Sequence, residues 1–126
     1  MTKSDLKSKL SELAYQVTQN AATEPPFSGE FFNFFDQGIY KCICCGFDLF
    51  SSNDKFPSTT GWPSFNSSIN KDSTEQRIDN SFGMNRVEVV CGNCKAHLGH
   101  VFDDGPEPTQ KRFCINSVAL EFVKNE

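Results

Sequence analysis

The residues of this 126-residue chain whose types and spacing could do chemistry are its six cysteines. Four of them form two Cys-x-x-Cys knuckles: Cys42, Cys45, Cys91 and Cys94. A two-residue gap lets one tight turn present two sulfurs to the same ion, and two such turns supply the four thiolates of a closed tetrahedral zinc site. The pattern predicts one structural Zn²⁺ per chain, contributing on the order of 10 kcal/mol to folding.

A redox-active Cys-x-x-Cys pair is the alternative interpretation of each knuckle, but that motif usually accompanies a βαβ pattern. Neither knuckle precedes a helical pattern, so structural zinc is favoured. Cys45 and Cys91 lie far apart in the sequence, so tertiary folding must bring the two knuckles together. Cys44 lies inside the first knuckle, where its spacing to Cys42 and Cys45 is poor for ligation, and we expect it to be a small packing residue.

Cys114 stands alone in the segment Arg112-Phe-Cys-Ile-Asn-Ser117, which is typical of a strand. Alternation along a strand places Arg112 on the same face as Cys114. A guanidinium in that position can stabilise the thiolate, and lowering the thiol pKa from about 8.5 to about 7 would raise the thiolate fraction roughly tenfold or more. An isolated strand cysteine is usually inert core, but the neighbouring arginine favours a nucleophile.

His97 and His100 are both histidines of the chain, and histidine is suited to proton delivery near neutral pH. A regular strand would direct them to opposite faces, whereas a bulge at Gly99 would turn both toward one site. Zinc ligation and ordinary core packing remain open for this pair. Trp62, the only tryptophan, lies on a predicted loop, where it is either core or the wall of a pocket for a sulfur or methyl group.

Length and composition predict one domain spanning residues 1–126, with thirteen phenylalanines filling much of the core. The net charge is −4 and the basic residues are scattered, which argues against a nucleic-acid partner. No apolar stretch approaches the roughly 18 residues that span a bilayer, and no signal region follows the N-terminus. We therefore expect a cytoplasmic protein with no membrane partner and with reduced cysteines.

The N-terminal region has the spacing of an amphipathic helix. Leu6, Leu10, Leu13 and Val17 recur at helical intervals and predict one helix over about 4–20. This helix belongs to an N-terminal arm, residues 1–30, that we expect to pack outside the domain.

The remainder of the chain has the texture of short strands. Strands are predicted at 39–42, 47–50, 86–90, 97–102 and 112–123. Alternation in the last strand would place five side chains on one face, which runs from apolar core into a polar pocket: Cys114, Asn116, Val118, Leu120 and Phe122.

Together these segments resemble methionine sulfoxide reductases of the B type, the enzymes that reduce the R epimer of methionine sulfoxide. The matching motifs extend over almost the whole chain, at 15–19, 23–29, 61–65 (Gly-Trp-Pro-Ser-Phe), 86–91, 96–102 (Ala-His-Leu-Gly-His-Val-Phe), 104–106 and 112–117 (Arg-Phe-Cys-Ile-Asn-Ser). The last three motifs in combination are highly specific to that family.

The resemblance implies a mainly β fold of two antiparallel sheets, a β-tent-like sandwich with the N-terminal helix outside and a structural zinc site. It implies thiol-dependent reduction of methionine-R-sulfoxide in oxidised proteins, by way of a Cys114 sulfenic acid. The family uses further positions to line the sulfoxide pocket, and here these positions are Trp62, His97, His100, Arg112 and Asn116. A non-catalytic, zinc-stabilised protein-interaction module is the alternative function.

One departure concerns how the nucleophile is regenerated. Many family members carry a resolving cysteine just before the Gly-Trp-Pro motif, and this chain has Thr60 there. The usual internal disulfide with the nucleophile is therefore not available. Three routes of regeneration remain open: reduction by thioredoxin, reduction by glutathione with glutaredoxin, or attack by Cys44 as a substitute resolving thiol. We expect the protein to be a monomer.

Overall fold

The computed structural model describes residues 3–57, 60–80, 83, 85–107 and 109–124, with Lys3 and Ser4 described by backbone alone. Two α-helices, α1 (Lys3–Lys9) and α2 (Glu12–Asn20), begin the described part of the chain. Nine strands follow in it: β1 (Gly38–Cys42), β2 (Asp48–Ser51), β3 (Lys55–Phe56), β4 (Ser64–Phe65), β5 (Thr74–Asp79), β6 (Arg86–Cys91), β7 (His97–Phe102), β8 (Arg112–Ile115) and β9 (Leu120–Lys124).

The strands form two antiparallel sheets, which confirms the predicted fold class. The smaller sheet has the order β2-β1-β9, and the larger has the order β3-β4-β8-β7-β6-β5. Aromatic rings join the sheets, because Phe50 of β2 stacks on Phe65 of β4 with ring centroids 4.5 Å apart. Tyr40 of β1 meets the same Phe65 ring edge-on at 5.2 Å, so the aromatic core expected from composition is present. None of the described helices is long and apolar enough to cross a membrane.

The single helix predicted over 4–20 is wrong, because the chain forms two helices there. Ser11 has extended backbone, and its side-chain oxygen accepts a hydrogen bond from the Ala14 N–H at 3.1 Å. A serine in this position caps the start of a new helix. The apolar stripe is redirected as a result, so that Leu6 and Val17 are buried whereas Leu13 is 38% exposed.

The single strand predicted over 112–123 is also wrong. A short 3-10 helix, Ser117–Ala119, divides it into β8 and β9, which belong to different sheets. In β8 the buried core side chains are Phe113 and Ile115, so Cys114 lies on the opposite face of the strand. The predicted continuous face from Cys114 to Leu120 does not exist, because the 3-10 helix interrupts the alternation of side chains between the two strands.

Candidate functional site

The two Cys-x-x-Cys knuckles meet in space. The sulfurs of Cys42, Cys45, Cys91 and Cys94 all lie within 4.8 Å of one another. Cys42 Sγ is 3.6 Å from Cys94 Sγ, and Cys45 Sγ is 3.6 Å from Cys91 Sγ. Four sulfurs bound at about 2.3 Å to one tetrahedral ion would be about 3.8 Å apart. The cluster therefore has the shape of a four-thiolate metal site, as the spacing predicted.

The knuckles are two copies of the same turn. The Gly46 N–H donates to the Cys42 carbonyl at 2.8 Å, and the Lys95 N–H donates to the Cys91 carbonyl at 3.0 Å. The residues that close the turns both have positive φ, 78° at Gly46 and 65° at Lys95. This equivalence gives the four sulfurs a pseudo-twofold arrangement, with one ligand pair from each turn.

A pocket of about 260 Å³ opens beside Cys114. Its lining includes Cys114, His100, Arg112, Trp62 and Asn116, five of the residues singled out from the sequence. The other lining residues are Thr23, Thr60, Arg86, Gly99 and Phe102. His97 is not part of the lining.

The register of β7 and β8 places His100 directly opposite Cys114. Side chains in such a cross-strand pair have Cβ atoms about 4.5–5.5 Å apart. Gly99 permits the close approach of the strands, because a Cβ there would lie 2.0 Å from the Cys114 carbonyl oxygen. The pairing of β7 with β6 shifts register at Leu98, next to Gly99, where a bulge was expected.

His97 lies behind His100 rather than in the pocket. Its ring is buried and packs edge-on against the His100 ring, with centroids 5.5 Å apart. His97 Nδ1 is 2.7 Å from Glu88 Oε2, and its Nε2 is buried without a hydrogen-bond partner in the described part of the chain. The metal-ligand group among the described residues consists of cysteines alone, which excludes the histidines as members of that group.

Asp79 binds the pocket histidine. Its Oδ2 lies 2.8 Å from His100 Nε2 and accepts a hydrogen bond from Arg86 Nη2 at 3.4 Å. Burial lowers the pKa of His100, and the neighbouring Asp79 opposes that shift. Asp79 ends β5, a mostly polar strand that sequence reasoning missed because its segment shows no apolar alternation.

Arg112 is held as a rigid cation beside Cys114. Its Nε and Nη2 donate to the two carboxylate oxygens of Asp104 at 2.8 and 3.2 Å, and its guanidinium lies 4.5 Å from the Phe102 ring centroid. Burial raises the pKa of the Cys114 thiol, while a hydrogen bond with Thr60 and the positive charge of Arg112 act in the opposite direction. The expected lowering of this pKa is wrong overall, because desolvation outweighs the stabilisation of the thiolate by Arg112.

Comparison with known proteins agrees with this geometry. A family model described as the SelR domain matches residues 10–124. The chain belongs to the SelR-domain family. It is 49% identical over 121 residues to a peptide methionine sulfoxide reductase MsrB of Herminiimonas arsenicoxydans, which covers 96% of this chain and 88% of the relative. The MsrB of Methanosarcina mazei is 53% identical, with 97% of this chain and 87% of the relative covered.

A mouse relative, methionine-R-sulfoxide reductase B3, mitochondrial, is 51% identical over 94% of this chain, and the match covers 47% of that longer protein. The resemblance to B-type methionine sulfoxide reductases is thereby confirmed. The alternative of a non-catalytic interaction module is not favoured, because all three of these relatives are named as reductases.

In this SelR-domain chain the N-terminal arm forms part of the pocket wall. The Trp62 indole Nε1 donates to the Glu24 carbonyl at 3.0 Å, and the Glu24 N–H donates to Asn116 Oδ1 at 3.0 Å. Asn116 Nδ2 in turn donates to the Leu98 carbonyl at 2.9 Å. The Glu24 side chain is buried, and its Oε1 accepts from the Val118 N–H at 3.0 Å. Sequence reasoning missed Glu24, although it lies in the family motif at 23–29.

Thr60 and Cys44 are the two residues that bear on how Cys114 could be regenerated in this chain. Thr60, at the position of the missing resolving cysteine, has its Oγ1 3.9 Å from Cys114 Sγ. Cys44 is 2% exposed and is not among the residues that line the pocket. Its sulfur instead accepts a hydrogen bond from Gln19 Nε2 of α2 at 3.5 Å. Direct attack of Cys44 on Cys114 therefore finds no support in this conformation.

Proposed function

We propose that this chain reduces methionine-R-sulfoxide in oxidised proteins to methionine, with Cys114 as the nucleophile. Membership of the SelR-domain family over residues 10–124 supports the activity. The observation that carries the assignment of residues is the cross-strand pair of His100 and Cys114 inside one pocket. It combines a nucleophile with a proton donor, which reduction of a sulfoxide requires.

The reaction begins when the Cys114 thiolate attacks the sulfoxide sulfur. Electrons of the sulfur–oxygen bond move to oxygen, which receives a proton and is transferred to the cysteine sulfur. The bond between the two sulfurs breaks as methionine leaves with its electron pair, and Cys114 becomes a sulfenic acid, the first reversible product of cysteine oxidation. The step oxidises the cysteine by two electrons and reduces the sulfoxide by two, so no further reactant is needed.

His100 supplies the proton to the sulfoxide oxygen in this proposal. It lies across from Cys114 in the pocket, and Asp79 fixes its ring from behind. His97, which was expected to share this role, supports the His100 ring from its buried position. Arg112 favours the thiolate through its positive charge, and Asp104 fixes the orientation of the guanidinium.

Trp62 and Asn116 shape the substrate side of the pocket. Sulfur and methyl groups pack well against aromatic rings, so the Trp62 face is suited to the ε-methyl of the substrate. The Asn116 amide is already bonded to Glu24 and Leu98, so it acts by holding the wall in place. An oxidised methionine exposed on a protein surface fits such a side-chain-sized pocket.

Regeneration requires an external thiol. A thiol attacks the Cys114 sulfenic acid with loss of water, and a second thiol releases Cys114 from the mixed disulfide. Thioredoxin and glutathione with glutaredoxin both provide such thiols, and they fit the cytoplasmic monomer of one domain that we expect.

Zinc is the metal that we assign to the four knuckle cysteines, because four thiolates at these sulfur separations suit its tetrahedral preference. When bound to these four cysteines, zinc would join the two knuckles, and four thiolates would complete its coordination. Its role here is to stabilise the fold that holds the pocket.

The decisive test is turnover of each diastereomer of dabsyl-methionine sulfoxide with dithiothreitol as the reductant. We expect the wild-type protein to consume the R epimer, and Cys114→Ser to lose all turnover while keeping its metal. Cys44→Ser serves as the matched cysteine control and should retain dithiothreitol-dependent turnover. Activity of Cys114→Ser near the wild-type level would remove Cys114 from the mechanism, and failure of the wild-type protein on both epimers would refute the proposed function.

A further inference from the structure

A phenylalanine occupies the third position of a tight turn in the N-terminal arm. The turn runs from Pro25 to Ser28, and the Ser28 N–H donates to the Pro25 carbonyl at 3.3 Å. Phe27 has a φ of 65° in this turn, and Pro26 precedes it. Proline followed by a residue of positive φ is the pattern of a type II turn, whose third position ordinarily holds glycine or asparagine. A bulky side chain in that position strains the backbone.

The strained residue also exposes its ring. Phe27 is 63% exposed, although the Phe32 ring packs against it edge-on with centroids 5.0 Å apart. Neither the strained backbone nor the exposed part of the ring stabilises the folded chain. Strain of this kind is found most often where a residue has a functional task, so the surroundings of Phe27 indicate what that task is.

The turn lies against the loop that carries one wall of the pocket. The Phe27 N–H donates to the Gly61 carbonyl at 2.7 Å, and a Cβ at Gly61 would lie 3.1 Å from Phe27 Cδ2. The two residues that flank Gly61 in the chain, Thr60 and Trp62, both line the pocket. The Phe27 ring is therefore an exposed aromatic surface immediately beside the pocket wall.

We propose that the Phe27 ring binds the residue next to the oxidised methionine of a substrate polypeptide and favours an aromatic residue there. This inference rests on the proposed function and adds a sequence preference to it. A methionine side chain in the pocket brings its chain neighbours to the pocket's edge, because consecutive Cα atoms are only about 3.8 Å apart. An aromatic neighbour would bury apolar surface against Phe27, and two rings in edge-on or offset contact are favourable beyond the area that they bury.

The test compares three substrates that contain methionine-R-sulfoxide, with dithiothreitol as the reductant. They are N-acetyl-methionine-R-sulfoxide and two blocked tripeptides, in which either phenylalanine or serine flanks the sulfoxide residue on both sides. We expect the wild-type kcat/KM to be about fivefold or more higher for the phenylalanine-flanked peptide than for the serine-flanked one. Phe27→Asn should remove most of this preference through a higher KM at unchanged kcat, because a contact outside the reacting centre binds substrate and transition state equally.

Two further variants separate the ring of Phe27 from general effects. Asparagine tolerates positive φ, so Phe27→Asn should keep the turn, and Phe27→Tyr keeps an aromatic ring in it and should keep the preference. Phe35→Asn is the matched control. Phe35 is an exposed phenylalanine of the same part of the chain, at 45%, but its ring packs 4.4 Å from the Lys55 ammonium. We expect Phe35→Asn to show the wild-type preference.

The outcomes distinguish this inference from the proposed function. Equal preference in the wild type and Phe27→Asn would overturn the role of Phe27, and so would an equal loss of preference in Phe35→Asn or Phe27→Tyr. Turnover of N-acetyl-methionine-R-sulfoxide by a wild type that does not discriminate between the two peptides would also overturn it, while leaving the activity in place. Failure of the wild type on all three substrates would refute the proposed function itself, and this inference with it.

Discussion

The Glu24 main-chain carbonyl accepts the indole hydrogen bond of Trp62, and the Glu24 N–H is bound by Asn116. A single residue of the N-terminal arm therefore joins two walls of the pocket. Its side chain is buried beneath them and accepts the Val118 N–H. The arm is consequently part of the site and not only an external support.

Glu24 gives the first prediction, which concerns stability. Burial raises the pKa of the Glu24 carboxyl. Between the ordinary glutamate pKa of about 4.3 and the raised native value, the native state binds more protons than the unfolded state. The free energy of unfolding should therefore fall as the pH rises through this interval, and this component should vanish in Glu24→Gln.

Urea unfolding at a series of pH values measures this effect. Glu24→Gln keeps an acceptor for Val118, so it should match or exceed the wild-type stability at neutral pH. Glu24→Ala leaves that buried N–H unpaired and should cost about 1–3 kcal/mol. Identical pH profiles for the wild type and Glu24→Gln would contradict the prediction.

The second prediction concerns the ionisation of Cys114. Burial raises its pKa, so the rate of alkylation by iodoacetamide should rise with pH until the pH exceeds the ordinary thiol range. Thr60→Val removes a hydrogen bond that lowers this pKa and should move the profile to still higher pH. Thr23→Val, which changes the polarity of another pocket residue, is the control and should not move it. Mass spectrometry of the peptide that contains Cys114 measures the alkylation rates.

The third prediction separates the two histidines. Asp79 opposes the burial that lowers the pKa of His100, so Asp79→Asn should lower this pKa further. Activity that needs the protonated imidazole falls as the pH rises through its pKa, so that limb of the kcat/KM profile should move to lower pH. At neutral pH, kcat/KM of Asp79→Asn should be about tenfold or more below that of the wild type.

Glu88→Gln is the matched variant, because the Glu88 carboxylate binds His97, through Nδ1, as the Asp79 carboxylate binds His100, through Nε2. We expect it to leave the position of the limb unchanged. A shift produced by Glu88→Gln and not by Asp79→Asn would assign proton delivery to His97. NMR titration of the imidazole resonances provides an independent reading of the same pKa values.

The fourth prediction restores a resolving thiol. Thr60 Oγ1 is 3.9 Å from Cys114 Sγ, so a thiol at this position needs only a small movement to bond. After one equivalent of methionine-R-sulfoxide, Thr60→Cys should contain a disulfide between residues 60 and 114 and resist dimedone. The wild-type protein should instead give the dimedone adduct of the sulfenic acid. Equal dimedone labelling of both proteins would show that the position is not within reach.

The fifth prediction concerns the metal. Cys42 is fully buried and contributes one of the four clustered sulfurs. Cys42→Ser should lose zinc by elemental analysis, and because the site contributes on the order of 10 kcal/mol it should unfold at markedly lower temperature. Chelation of the wild-type protein should have the same effect. Stoichiometric zinc in Cys42→Ser, or a metal-free wild type, would contradict the assignment.

The sequence by itself determined what depends on residue type and local spacing. Two Cys-x-x-Cys turns predicted the four-sulfur cluster, and the motif around Cys114 identified the pocket that the structure describes. The aromatic composition predicted a core in which rings such as Phe50 and Phe65 join the sheets. The break between the two helices was not predicted, because Ser11, which caps the second helix, resembles any polar residue within an amphipathic helix.

Tertiary structure alone decided the relationships that depend on long-range pairing and burial. The register of β7 and β8 selects His100 over His97 as the partner of Cys114, and a residue from the unpredicted β5 binds that histidine. Desolvation reverses the expected direction of the Cys114 pKa, which neighbours in sequence could not reveal. Strand register and solvent exposure are set by residues distant in the chain, so local patterns named the reactive groups, whereas packing fixed their orientation and ionisation.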